Sequence, residues 1–132
     1  LSKDGVFDSV NKGTVICDTS TISPSVSIEL NKKASERGII FCDTPMSGGI
    51  FGADEGYLAF FVGASSKEDY EKSLVVLKDM GKTFFHAGGP GDGEIAKIVN
   101  NQILGAQMVA VAEGFALGIK LGMDKKLLSD IL

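Results

Sequence analysis

Gly91-Asp92-Gly93-Glu94-Ile95-Ala96-Lys97-Ile98-Val99-Asn100-Asn101 is where one kind of pattern stops and another starts. Upstream, short apolar runs alternate with helical stretches and turn residues. Thr14 to Asp18 reads as a strand after the turn Asn11-Lys12-Gly13. Ser23 is a candidate N-cap with Pro24 in the first turn of a helix that runs to about Arg37 and ends at Gly38. Ile39 to Cys42 reads as a second strand, Tyr57 to Val62 as a third and Thr83 to His86 as a fourth. Ser65-Ser66 with Glu68 opens a helix through Met80 that ends at Gly81. Thr44 to Gly49, rich in turn residues, reads as irregular loop. This alternation predicts an α/β sheet covered by helices.

Downstream, from Gly93 to about Leu121, there is neither a strand signal nor a proline. A continuous helix of that length spans roughly 43 Å. It carries no charge between Lys97 and Glu113, so burial by a second domain or a partner chain is expected. Gly122 ends it, and Asp124 caps another helix through Leu127 and Leu128. The boundary is placed at Gly88 to Gly93, giving domains 1-90 and 91-132.

Bulk properties narrow the function. The formal net charge is −4 and the pI about 4.9, with no Lys/Arg run, so no nucleic-acid or anionic-membrane partner is expected. The uncharged run Ile98 to Ala112 is shorter than the roughly 20 residues of a membrane span and contains four carboxamides. Cys17 and Cys42 sit in apolar stretches and read as free thiols. No metal-ligand spacing is present. The chain opens on Leu1 rather than Met and closes at Leu132 within a helical pattern, so it is expected to be part of a longer protein.

Three segments carry candidate chemistry. Asp18-Thr19-Ser20-Thr21 follows the first strand, where α/β sheets bind ligands. Asp43-Thr44-Pro45-Met46-Ser47-Gly48-Gly49 follows the second, at the same edge if the two strands are parallel. Its adjacent glycines and Ser47 suit a small carboxylate. Lys97, Asn100 and Asn101 share a helix face by their i, i+3 and i+4 spacing, and a lysine beside a dry cleft is a usable proton donor or acceptor. Gly91-Asp92-Gly93-Glu94-Ile95-Ala96 mimics a dinucleotide fingerprint, but no second strand follows, and Asp92 and Glu94 would repel a pyrophosphate. It reads as a junction and helix start. His86, the only histidine, reads as structural, and Glu113 as a lone acid in the apolar helix.

Taken together, the segments resemble the β-hydroxyacid dehydrogenases. The family's Asp-x-Ser-Thr appears as Asp18 to Thr21 and its Asp-x-Pro-x-Ser-Gly-Gly as Asp43 to Gly49. Its Gly-x-Gly-x-x-x-Lys-x-x-Asn-Asn appears as Gly91, Gly93, Lys97, Asn100 and Asn101. The resemblance implies the C-terminal part of a Rossmann-type dinucleotide-binding domain, then a long interdomain helix opening an all-α domain. It implies Lys97 as catalytic acid/base, oriented by Asn101 or Asn100. Ser47, Gly48 and Gly49 would hold the substrate carboxylate, and Thr21 and Ser20 the cofactor, NAD with NADP not excluded. Asn100-Asn101 disfavours the sugar substrate of the related 6-phosphogluconate dehydrogenases, which usually have His-Asn there.

The implied activity is oxidation of a small β-hydroxyacid, first 3-hydroxyisobutyrate to methylmalonate semialdehyde in valine catabolism. A tartronate semialdehyde or other short semialdehyde reductase is the alternative, and a non-catalytic binding or oligomerisation domain the alternative of another class. A homo-oligomer, dimer or tetramer, is implied, in the mitochondrial matrix of a eukaryote or the cytoplasm of a bacterium. The family's phosphate loop would lie before Leu1 and a further lysine after Leu132, so the chain alone is expected not to turn over.

Overall fold

The structure, a computed structural model, describes residues 5–132. They form α1 (Val6–Ser9), β1 (Val15–Asp18), α2 (Pro24–Ser35), β2 (Ile40–Asp43), β3 (Met46–Ser47) and α3 (Gly49–Asp54). Then come β4 (Leu58–Gly63), α4 (Lys67–Leu77), β5 (Gly81–Gly88), α5 (Asp92–Lys120) and α6 (Lys125–Ile131). The chain divides into two compact units, Leu1–Ile98 and Val99–Leu132.

The first unit is α/β. Its five-stranded sheet is mixed: β1 and β2 are parallel, β4 and β5 are parallel, and β4 runs antiparallel to β2 and β3. Successive side chains of a strand face opposite sides, and β2 shows it. Cys42 joins Leu58, Phe60, Val62, Ala64 and Leu77 in one core, whereas Phe41 joins Ile39 and Ala34 of α2 in another. α2 packs on one face through Ala34 and α4 on the other through Leu77. α2 starts with Pro24 in its first turn, and Gly38 supplies the left-handed residue (φ 71°) that turns the chain into β2. His86 stacks on Tyr70 at 4.6 Å between ring centroids.

Several expectations need correction. Thr44 to Gly49 is not wholly irregular. One antiparallel register runs from Asp43↔Gly63 to Met46↔Phe60 and Ser47↔Ala59, so β2 and β3 form one ribbon along β4. Pro45 does not break it, because its carbonyl, not its missing N–H, meets the partner: Phe61 N donates to Pro45 O at 2.9 Å. Gly49 then begins α3. Ser23 occupies the N-cap position but makes no capping bond; its hydroxyl pairs with Ser25 Oγ at 2.8 Å. Gly81 opens β5 rather than closing α4, and it is glycine for space: a Cβ there would lie 2.8 Å from the Phe60 ring.

The second unit holds the rest of α5 and α6. Asp124 caps α6, its Oδ1 accepting from Leu127 N at 2.9 Å. Leu128 is buried, packed so closely on Gly118 that a Cβ there would stand 2.7 Å from it. Burial of the apolar helix is expected from a second domain or a partner chain, and among the described residues nothing covers it: Ile103, Leu104, Met108 and Val109 are all exposed. By length and composition alone α5 could cross a membrane. Its uncharged run Ile98 to Ala112 still falls short of the roughly 20 apolar residues of a span.

Candidate active site

β1 and β2 lie side by side in parallel, with Cys17 opposite Cys42 and Asp18 opposite Asp43. The Asp18 to Thr21 segment and the start of the Asp43 to Gly49 segment therefore lie at the same edge, the carboxyl end of two parallel strands, while Met46 and Ser47 run on along β4. They are stitched there: Thr44 N and Thr44 Oγ1 both donate to Asp18 O, at 2.8 and 3.1 Å. Both cysteines are free, and burial foremost pushes the Cys42 thiol up to about 12.

The third segment joins through carboxylates. Asp43 is 1% exposed. Its Oδ1 accepts from Gly91 N at 2.8 Å and its Oδ2 from Glu94 N at 3.1 Å. The first amides of a helix have no partner within it, and here an acid from β2 supplies one for α5. The anion also sits where the helix dipole favours it. Two glycines make room. A Cβ on Gly63 would lie 2.5 Å from both carboxylate oxygens of Asp43, and one on Gly93 would lie 2.7 Å from Oδ2. Gly91, at φ 88°, makes the bend itself.

Glu94 closes the ring. Its side chain is fully buried, and Oε2 accepts from Ile22 N at 3.1 Å, just past Thr21. Its other oxygen, Oε1, is buried with no partner. Burial raises the carboxyl above its ordinary 4.5; the Ile22 amide pulls it down, and the negative charges of Asp43 and Asp18 push it up. Asp18 Oδ1 accepts from Ser20 N at 3.0 Å, and Asp92 Oδ2 from Gly89 N at 2.7 Å. Asp92 and Glu94 are thus engaged by backbone amides rather than turned toward a ligand. As expected, 91–96 is no phosphate loop: the helix continues to Lys120 with no second strand after it among the described residues.

The expected site residues fall as follows. Ser20 and Thr21 are exposed beyond the end of β1. Ser47 is half-buried in β3 opposite Ala59. Gly48 and Gly49 are exposed at φ 132° and 60°, a conformation only glycine adopts freely. A Cβ on Gly48 would also press on Leu58 Cδ2 at 3.1 Å. Lys97 is half-buried on α5, one turn beyond Glu94. These residues lie in the first unit; Ser20, Thr21 and Lys97 are close in sequence to ring members, whereas Ser47, Gly48 and Gly49 lie further along the ribbon on β4. Asn100 and Asn101 fall in the second, Asn100 half-buried and Asn101 exposed. Sequence reasoning missed Gly63 and the joining role of Asp43 and Glu94. Among the described residues no cluster of His, Cys, Asp and Glu is arranged to hold a metal.

Comparison with known proteins matches this layout. Residues 1–89 match the model of the NAD-binding domain of 6-phosphogluconate dehydrogenase, and residues 91–132 the NAD-binding model of NADP-dependent 3-hydroxyisobutyrate dehydrogenase. The fold and the two matched family models thus define a Rossmann-type class of NAD-binding domains. The chain belongs to the β-hydroxyacid dehydrogenase family, alongside the 3-hydroxyisobutyrate dehydrogenases.

It is 42% identical to 2-(hydroxymethyl)glutarate dehydrogenase of Eubacterium barkeri, over 97% of this chain and 42% of that protein. It is 41% identical to human mitochondrial 3-hydroxyisobutyrate dehydrogenase, over 98% of this chain and 38% of that one. The solved Mycobacterium tuberculosis 3-hydroxyisobutyrate dehydrogenase with L-serine superposes with a TM-score of 0.84 at 36% identity. That match covers 96% of this chain and 43% of that one. The chain thus spans less than half the length of these relatives.

Proposed function

We propose that the intact protein is an NAD-dependent dehydrogenase of a small β-hydroxyacid. In this reading, residues 1-90 end the cofactor domain and residues 91-132 open an all-α domain. The observation that carries it is the hydrogen-bonded ring through Asp18, Thr44, Asp43, Glu94 and Ile22, which draws three motif segments to one sheet edge.

The donor set fits a nicotinamide and its carboxamide. Ser20 and Thr21 offer neutral exposed hydroxyls, while Asp18, Asp43 and Glu94 are occupied by backbone amides. When bound, the nicotinamide supplies the hydride acceptor. Ser47, Gly48 and Gly49 bind the substrate carboxylate through a hydroxyl and unhindered amides, fixing the alcohol's position. Lys97 removes the alcohol proton in oxidation and returns it in reduction, and Asn101, with Asn100, orients it. The substrate favoured first is 3-hydroxyisobutyrate, and NAD is favoured over NADP. The compartment follows the source, matrix in a eukaryote and cytoplasm in a bacterium, with a dimer or tetramer as the working form.

The test is Lys97→Ala in the intact protein, assayed with 3-hydroxyisobutyrate, L-serine, 2-(hydroxymethyl)glutarate and D-glycerate. The expected loss of kcat is about 10²- to 10⁴-fold, the usual worth of a general acid/base, with the Kd for NAD little changed. A wild-type kcat in that variant removes Lys97 from the mechanism. An inactive wild-type protein on the whole panel favours a non-catalytic domain.

A further inference from the structure

Glu94 stands out as a fully buried acid that the mechanism above does not use. It lies one turn before Lys97 on α5, and its single hydrogen bond from a distant segment comes from Ile22 N, 72 residues away. That amide directly follows Thr21. A buried acid is costly, and of its two oxygens only Oε2 has a partner. The contact it makes is specific: it ties the segment with the cofactor-facing hydroxyls to the helix with the proton-transfer lysine. Its backbone is fixed in turn, because Glu94 N donates to Asp43 Oδ2.

We propose that Glu94 is a positioning residue that clamps the Thr19 to Ile22 segment onto the first turn of α5, holding the cofactor-contacting hydroxyls in register with Lys97. This rests on the dehydrogenase reading above. Glu94 touches neither cofactor nor substrate and acts through Ile22.

The clamp needs only an acceptor, not a charge. Ionisation would add a negative charge at a buried position near Asp43 of β2 and Asp18 at the end of β1; on α5 itself the neighbouring charges are Asp92 and Lys97. Burial foremost holds the Glu94 proton above its ordinary 4.5. The native state therefore keeps a proton that the unfolded chain has released, and stability falls as pH rises above that value until the raised folded value is passed. Glutamine in its place would keep the acceptor and remove the titration.

The experiment uses the intact protein with Glu94→Met, which keeps reach but has no acceptor, and Glu94→Gln, which keeps the acceptor. Three readouts are taken: amide hydrogen exchange at Ile22, the Kd for NADH by fluorescence, and kcat and KM. In the Met variant, Ile22 exchange and the Kd and KM for the cofactor are expected to rise about tenfold, the loss of one hydrogen bond to a carboxyl group. The larger change falls on KM rather than kcat. The Gln variant restores all three, and its Tm advantage over wild type grows as pH rises above the ordinary carboxyl value of 4.5.

Unchanged Ile22 exchange in the Met variant, or failure of Gln to restore cofactor affinity, overturns the proposal. Should the wild-type protein turn over none of the hydroxyacids, the dehydrogenase reading falls by itself. Ile22 exchange and NADH affinity then decide the clamp.

Discussion

The helices α5 and α6 both begin at an aspartate, yet they are capped in opposite ways. For α6 the acid is the residue just before the helix: Asp124 lies in the open and accepts one amide, from Leu127. For α5 the acid comes from β2, 48 residues away in sequence, is almost wholly buried, and accepts two amides at once. Both satisfy helix-end amides that would otherwise lack partners. The local cap stabilises only its own helix. The remote cap also joins a strand end to the helix that carries Lys97, so the same chemistry becomes a joint between motif segments. A buried joint has no water to replace a lost partner, and this difference sets the expected cost of breaking each one.

Asp43→Ala should have the largest effect on stability. It strands the buried amides of Gly91 and Glu94 and empties the space between Gly63 and Gly93. A cost of about 3 kcal/mol is expected in denaturant unfolding of the intact protein. A loss below about 1 kcal/mol would mean that the joint is no stronger than an ordinary surface cap, and the contrast drawn above would collapse. Gly93→Ala probes the same joint sterically. The added methyl would press on Phe61 O and lie 2.7 Å from Asp43 Oδ2, so about 2 kcal/mol is expected from overpacking. Gly114, on the same helix, has open space around it. Gly114→Ala should therefore be neutral or slightly stabilising, which separates crowding from a general effect of glycine in a helix.

What the sequence allowed one to read follows the same division between local and remote. Asp124 was legible as a cap because its partner is three residues on, and Ser66 begins α4 as expected, accepting from Asp69 N. Ser23 has the same local signal and fails, because its hydroxyl is taken up by Ser25. The strands and the length of α5 follow from period and from the absence of breakers. Asp18 to Thr21, Asp43 to Gly49 and Lys97 stand out in the sequence as motif residues, but their linkage does not. No pattern in the chain says that Asp43 will meet Gly91, or that Glu94 will turn inward to Ile22 rather than face a ligand. Gly63 carried no signal at all, since its reason for being glycine is a carboxylate 20 residues away. The ribbon through Met46 and Ser47 was hidden by Pro45, whose effect depends on which of its backbone groups faces β4.

The local cap gives the smallest effect and the sharpest contrast with Asp43. Asp124→Ala removes one exposed hydrogen bond to Leu127 N, and water can replace it. The expected cost is about 1 kcal/mol, seen as faster amide exchange confined to the first turn of α6. Leu128, buried against Gly118, keeps the helix in place, so cofactor affinity and Ile22 exchange should stay at wild-type values. Asp124→Asn should recover most of the loss, because asparagine caps about as well as aspartate. At Asp43 the same exchange should recover less, because there two amides need two acceptor oxygens and the asparagine amide nitrogen offers none. A full recovery at Asp43 by asparagine would show that only one of its two hydrogen bonds matters.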